Sequence, residues 1–328
     1  MQTFDIGEND AGQRLDKYLR KSLRALPPSL LYKAIRTKKI KVNRKRTQQN
    51  YMLSAGDTVE VFLPDEYLLR REDGRDAFLH LSPRLHVIYE DENILLCDKQ
   101  PGVIVHADED ETVDTLINHI KAYLYRKGEY DPDGERSFAP ALCNRIDRNT
   151  GGIVLAAKNA ASLRVLNEKI RNGELEKKYL CAAHGIFEKK QDTITGYLHK
   201  DRAQNLVSIF EKKPNGSGEY KRIVTKYRVV EERNALSLLE VELITGRTHQ
   251  IRAHLASVGH PLLGDGKYGI NREDRKKGYR IQALYAYQIK FAFRASSAHL
   301  NYLKDRVYHA DRSKIWFLNE FGSFLEKY

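Results

Sequence analysis

The chain has 328 residues, 41% hydrophobic and 30% charged, enough to bury one large core or two smaller ones, which excludes a disordered chain or a small disulfide scaffold. No apolar run approaches the roughly twenty residues of a bilayer crossing, and the acidic residues 1–12 are neither a secretory nor a transit signal, so a cytoplasmic protein without membrane contact is expected. Lys and Arg number 56 against 44 Asp and Glu, a net charge of +12 that points to a polyanionic partner.

The charge is concentrated at the start, where residues 1–63 hold 13 basic and 6 acidic side chains. Within that segment Leu15, Tyr18, Leu19 and Leu23 recur at helical spacing until Pro27 and Pro28 stop the helix. Ser29 is placed to cap a second helix, whose apolar face is Leu30, Leu31, Ala34 and Ile35. Its other face opens a run of cations, Lys33, Arg36, Lys38, Lys39, Lys41, Arg44, Lys45 and Arg46, with no acid among them. Residues 40–43 and 57–62 alternate as short strands, the second after the turn Ala55-Gly56-Asp57. A lone charge run is usually a solvated face, but eight like charges at one helix-to-strand junction favour phosphate binding. Arg14-Leu15-Asp16-Lys17-Tyr18-Leu19, the basic helix, Lys41-Val42-Asn43 and Gly56-Asp57 together resemble the ribosomal S-four-type RNA-binding domain.

Residues 64–85 are polar and aperiodic and read as a linker between a module at 1–63 and a second domain at 86–328. In the latter, strand-like runs at 87–89, 94–97, 153–157, 178–183, 220–230, 237–244 and 285–293 are interspersed with helices at 113–125, 160–171 and 248–258. Strands dominate without regular strand–helix alternation, which predicts an α+β fold with a mixed, mainly antiparallel sheet. The carboxyl-terminal segment from residue 296, with Trp316 and Phe317, is expected to pack against this domain. Cys97, Cys143 and Cys181 fit no disulfide or zinc pattern and suggest a reducing compartment.

Three stretches could carry chemistry. In the first, residues 144–152, Asp147 lies between Arg145 and Arg148 and before the turn Thr150-Gly151-Gly152. Nearby cations favour the ionised carboxylate, which suits a nucleophile better than a general acid, although an Asx turn is an equal reading of these nine residues alone. The second places Tyr179 in a strand behind Lys177 and Lys178, where core packing is the default. In the third, Thr245-Gly246-Arg247-Thr248-His249-Gln250-Ile251-Arg252, Arg247 stands at a helix start, a place for an anion or a buried carboxylate. His249, His254 and His260 do not share a helix face, so no metal is expected.

The segment at 144–152, the run at 245–252 and Lys99-Gln100-Pro101-Gly102-Val103-Ile104-Val105-His106 occur in the order of the RluA-type pseudouridine synthase family, which the domain resembles from residue 87 to 293. The departures are Asn144 for a histidine, Gly151 for a serine, and Tyr285 in Leu284-Tyr285-Ala286. The resemblance implies an RNA-modifying isomerase that needs no cofactor and no metal, with Asp147 as nucleophile, Tyr179 stacking on uracil and possible base, Arg247 as ionic partner of Asp147, Leu284 in the pocket and Arg145 filling the gap left by a flipped base. The expected partner is structured RNA, ribosomal rather than transfer RNA, met by a monomer with the basic residues from Lys33 to Arg46. A non-catalytic RNA-binding protein is the rival from another class, disfavoured by the intact Asp147, Tyr179 and Arg247; a phosphoryl-transfer enzyme would need a further carboxylate for Mg²⁺ where Asn149 stands.

Overall fold

The structure is a computed structural model and describes residues 1–68, 75–106, 113–201, 203–216, 218–269 and 271–322. The amino-terminal module consists of β1 (Gln2–Asp5), α1 (Leu15–Ser22), α2 (Pro28–Arg36), β2 (Ile40–Val42), β3 (Lys45–Arg46) and β4 (Thr58–Val61), its sheet ordered β1-β4-β2-β3. Leu15, Tyr18, Leu19, Leu31 and Ile35 from the helices meet Ile40, Val59 and Val61 in one small core. The second helix begins two residues earlier than the sequence suggests, with Pro27 rather than Ser29 at its N-cap. Pro28 occupies its first turn and no side chain caps it, consistent with proline's missing N–H and preset φ.

The second domain is built on eleven strands among the described residues: β5 (Val87–Glu90), β6 (Ile94–Lys99), β7 (Ala141–Leu142), β8 (Gly151–Ala157), β9 (Leu175–His184), β10 (Gln191–Asp201), β11 (Leu206–Phe210), β12 (Lys221–Arg233), β13 (Leu236–Leu243), β14 (Leu284–Phe291) and β15 (Val307–His309). The main path runs β11-β10-β12-β13-β9-β14-β8-β6-β5, all antiparallel except β14 with β8. This is the mixed, mainly antiparallel sheet of the α+β reading. The helices are α3 (Leu116–Arg126), α4 (Ala160–Arg171), α5 (Gln250–Ser257) and α6 (Asn271–Lys276). Thr115 caps α3, accepting the Asn118 amide, and Asn159 caps α4, accepting the Ser162 amide.

Alternation along the central strands sends side chains to two cores. One face carries Leu95, Cys97, Val154, Tyr179, Leu284 and Ala286 under α3 and α5; the other carries Leu96, Ile153, Leu155, Leu180 and Tyr285 under α4 and the carboxyl-terminal segment. Phe317, Leu318 and Phe321 are buried in that second core, which explains why the last part of the chain packs onto the sheet.

Two regions depart from the sequence reading. The hairpin β10–β11 extends the sheet where no element was expected, because Gly196 and the polar outward positions break up its pattern. The middle of the segment read as linker lies outside the described residues, yet Phe78 beyond it is 1% exposed and packs against Tyr125 and Tyr130, so that end belongs to the core under α3 and α5.

The module is docked on the larger domain. Asn9 Nδ2 donates to Glu135 Oε1 at 2.6 Å, and Asn9 Oδ1 accepts the Ala160 amide at the start of α4 at 3.0 Å. Gln13 Nε2 donates to Ser137 Oγ at 2.6 Å, while Asp10, 4% exposed, accepts from both the amide and the hydroxyl of Ser137. The Arg136 guanidinium stacks 4.7 Å from the Phe4 ring.

Candidate active site

Asp147 lies in the loop between β7 and β8, and its position is set by the turn after β6. Lys99 is fully buried, and its ammonium donates to the carbonyls of Gln100, Val103 and Arg148 at 2.8–3.0 Å. Gly102 exchanges further bonds with Arg148, accepting from Nε at 3.2 Å and donating its amide to the carbonyl at 2.9 Å. One buried cation thus ties the Lys99–Gly102 turn to the residue after Asp147. Burial pushes the ammonium down to about 8, and the Asp147 charge opposes it, so Lys99 stays protonated at neutral pH.

Behind the aspartate, two glycines let β8 and β14 run side by side. A Cβ on Gly152, at φ +115°, would lie 2.2 Å from the Ala286 carbonyl oxygen, so no other residue permits this pairing. At Gly151 it would lie 2.3 Å from the Tyr285 ring, whose hydroxyl donates to Asp98 Oδ1 at 2.6 Å. Two of the departures from the family pattern, Gly151 and Tyr285, therefore occupy one space: the missing side chain makes room for the larger ring. The third, Asn144, uses its carboxamide inside the loop, accepting the Leu155 amide at 2.8 Å and donating to the Ile153 carbonyl at 3.3 Å.

The carboxylate is held from α5. This helix is buried nearly all round, so its polar side chains need partners. Gln250 bonds Thr225 and the Val224 carbonyl, and His254 bonds Thr225 at 2.9 Å, its pKa pushed by burial down to about 4. Arg252, 8% exposed, donates from Nε and Nη2 to the two oxygens of Asp265 at 2.7 and 2.8 Å, and from Nη1 to Asp147 Oδ2 at 2.8 Å. Burial alone would lower the guanidinium pKa; Asp265 and Asp147 instead hold it above its usual range. Asp265 is 0% exposed and also accepts the amides of Lys267 and Tyr268.

This corrects one assignment. Arg247, expected as the ionic partner of Asp147, is exposed in the turn before α5, its amide donating to Gln250 Oε1. Arg252 makes the ion pair. Arg247 neighbours Gly246 and a polar turn, whereas Arg252 stands between Ile251 and Ala253 on a buried helix, and a guanidinium there must find carboxylates. That apolar flanking was the signal in the sequence, together with Gly264-Asp265 downstream.

Tyr179, on the centre strand β9 between Val241 and Ala286, is buried on the same face as Leu284 and close enough to Asp147 to feel its charge. Burial pushes its phenol pKa up, with Asp147 adding to the effect, so the ring is a neutral surface at pH 7 and its hydroxyl has no hydrogen bond among the described residues. That favours stacking over proton abstraction. Arg145 is exposed beside the loop, near enough to His106 to help burial depress the imidazole pKa. Among the described residues no group of three His, Cys, Asp or Glu side chains could hold a metal ion.

The basic residues lie far along the chain, on the module. Lys33, Arg36, Lys38, Lys39, Arg44, Lys45 and Arg46 are exposed, Lys41 is half-buried with its ammonium 5.2 Å from the Phe62 ring, and none of the eight pairs with an acid among the described residues. Arg14, Arg36 and Arg46 share with Tyr32 and Tyr51 a cleft of ≈ 1080 Å³.

Comparison with known proteins places these features. The family described as RNA pseudouridylate synthase matches residues 93–257, and the S4 domain matches residues 13–59. A ribosomal large subunit pseudouridine synthase C of Vibrio vulnificus is 32% identical over 303 residues, 90% of this chain and 90% of that protein. Its namesake from Escherichia coli is 31% identical over 304 residues, 87% of each. The solved structure of human RNA pseudouridylate synthase domain containing 4 aligns with a TM-score of 0.54 at 19% identity, covering 72% of this chain and 92% of that one, which is likeness of fold alone.

Proposed function

The chain belongs to the RNA pseudouridylate synthase family, in its RluA branch, and we propose that its substrate is a uridine in ribosomal RNA, with Asp147 as the reacting carboxylate. As an RNA pseudouridine synthase it is an isomerase: uracil is detached from the ribose, turned, and rejoined through a ring carbon, with no redox change. The observation that carries the role of Asp147 is its bond from Arg252, a guanidinium already locked on both oxygens of Asp265. Such a cation holds the carboxylate in one orientation in a partly water-excluded site. The Tyr179 ring and Leu284 beside it supply an apolar wall for a planar base.

A uridine in folded RNA must leave its stack to reach that wall, at a cost of a few kcal/mol. Arg145, two residues before Asp147 and exposed, is the side chain in position to stack in the vacated place. The cations from Lys33 to Arg46, with residues 1–63 acting as the RNA-holding module, supply phosphate contacts. Ribosomal RNA is favoured because the relatives spanning nearly all of this chain carry that substrate in their names.

The test is to incubate ribosomal and transfer RNA from cells lacking the protein with wild type or Asp147→Asn and map pseudouridines as carbodiimide-dependent reverse-transcriptase stops. Stops in ribosomal RNA with wild type alone are expected. Stops only in transfer RNA would overturn the substrate, and equal stops with Asp147→Asn would overturn the role of the carboxylate.

A further inference from the structure

His249 begins α5 with φ +54° and ψ 15°, in the left-handed region. A residue other than glycine keeps that conformation where its surroundings impose it, and such residues cluster at active sites. Here it brings the imidazole, 10% exposed, between two oxygens: Nε2 is 3.9 Å from Asp147 Oδ2, and Nδ1 is 2.9 Å from the Tyr268 hydroxyl.

The hydrogen bonds of Tyr268 fix the imidazole tautomer. The Tyr268 oxygen accepts the Val207 amide at 3.0 Å and has one proton to give; the only acceptor for it among the described residues is His249 Nδ1. A neutral imidazole that accepts at Nδ1 carries its proton on Nε2, the nitrogen that faces Asp147. Burial pushes this imidazole pKa down, Asp147 and Asp265 pull it up, and Arg252 and Lys267 push it down; the result lies below the usual value, so the ring is neutral at pH 7. Tyr268 also touches the other holder of the carboxylate, its ring 5.3 Å from the Arg252 guanidinium and its amide bonded to Asp265.

The two oxygens of Asp147 thereby differ. Oδ2 faces Arg252 Nη1 and His249 Nε2, while Oδ1 has no hydrogen-bond partner among the described residues. We propose that His249, oriented by Tyr268, is a positioning residue for the reaction: its Nε2–H and Arg252 hold Oδ2 and leave Oδ1 as the oxygen that meets the substrate carbon. This rests on the reading of Asp147 as the reacting carboxylate. The 3.9 Å approach is unbonded, and sites of this kind tighten when substrate enters. No proton leaves His249 in this role; it orients and stabilises charge.

The test measures tritium released from ribosomal RNA transcribed with [5-³H]uridine, since rejoining uracil through C5 displaces that hydrogen. His249→Ala is expected to lower kcat about tenfold with KM within about twofold, the scale of one bond to a charged group. His249→Gln, which returns an N–H close to the position of Nε2, is expected to recover most of the loss. Tyr268→Phe keeps the ring and removes only the hydroxyl, so it is expected to lower kcat about threefold by freeing the tautomer. The double variant His249→Ala/Tyr268→Phe is expected to be no slower than His249→Ala, because the hydroxyl acts through the imidazole. Should His249→Ala fail to fold, Tyr268→Phe and His249→Gln carry the test. Inactive Asp147→Asn alongside His249→Ala or Tyr268→Phe at the wild-type kcat, or additive losses in the double variant, would overturn this proposal alone; turnover by Asp147→Asn would overturn the reading beneath it.

Discussion

The molecule sets arginine and lysine against negative charge in two opposite ways. On the amino-terminal module eight cations crowd one junction, seven of them exposed and none paired with an acid among the described residues. Under the sheet, Arg252 is nearly buried and spends three donors on two carboxylates. Exposed, unpaired charge offers attraction that salt screens and that tolerates the loss of any one residue. A buried, saturated cation offers geometry, and its loss strands the anions it served. One region is thus suited to hold a long polyanion and the other to aim one carboxylate.

The sharpest way to break this division is Asp147→Asn, which is expected to cut turnover on the order of 10³-fold while leaving RNA affinity near wild type. Kinetics beside a filter-binding assay check it; a parallel loss of affinity would mean the site also holds RNA. Next is a paired substitution. Arg252→Met leaves Asp265 buried without its guanidinium and is expected to cost about 3–5 kcal/mol in denaturant unfolding. Arg247→Met, on an exposed turn, is expected to stay within about 0.5 kcal/mol, and equal costs would erase the distinction between the two arginines.

On the module, changing Lys38, Lys39, Arg44 and Lys45 together to Gln is expected to flatten the slope of log K against log salt by about 3 to 4, from near −5 if six phosphates are contacted. Turnover at saturating RNA should be unchanged. A smaller effect tests the packing behind the aspartate: Gly151→Ser against the Tyr285 ring is expected to cost about 1–3 kcal/mol, and Gly151→Ser/Tyr285→His to recover much of it, as thermal unfolding would register. The mildest concerns the seam joining the regions. Asn9→Ala removes the bond to Glu135 and the acceptor for the Ala160 amide, and is expected to loosen docking by about 1 kcal/mol, seen as faster proteolytic separation of the module with the catalytic domain intact.

Much of the fold was legible because burial writes itself as period. The helix at Ala160–Arg171 follows from the helical spacing of its apolar residues, and the strands around Ile94, Ile153 and Leu239 from short apolar runs bounded by polar or turn residues. The hairpin Gln191–Phe210 was not, since the outer strands of a sheet are partly solvated and their polar residues blur the pattern. The family resemblance implied one site for Asp147 and Tyr179, and in the structure the aspartate lies near enough for its charge to help raise the phenol pKa.

The sequence by itself determined which residue types were available: an aspartate among cations before two glycines, a strand tyrosine, and a basic module at the start. Only the tertiary structure decided that Arg252 rather than Arg247 reaches Asp147, that Gly151 and Tyr285 share one space, and that Asn9, Asp10 and Gln13 dock the module. The physical reason is that each depends on a contact between residues more than a hundred positions apart, Asp147 with Arg252, Gly151 with Tyr285 and Asp10 with Ser137, and local spacing carries no record of which distant partner a side chain will meet.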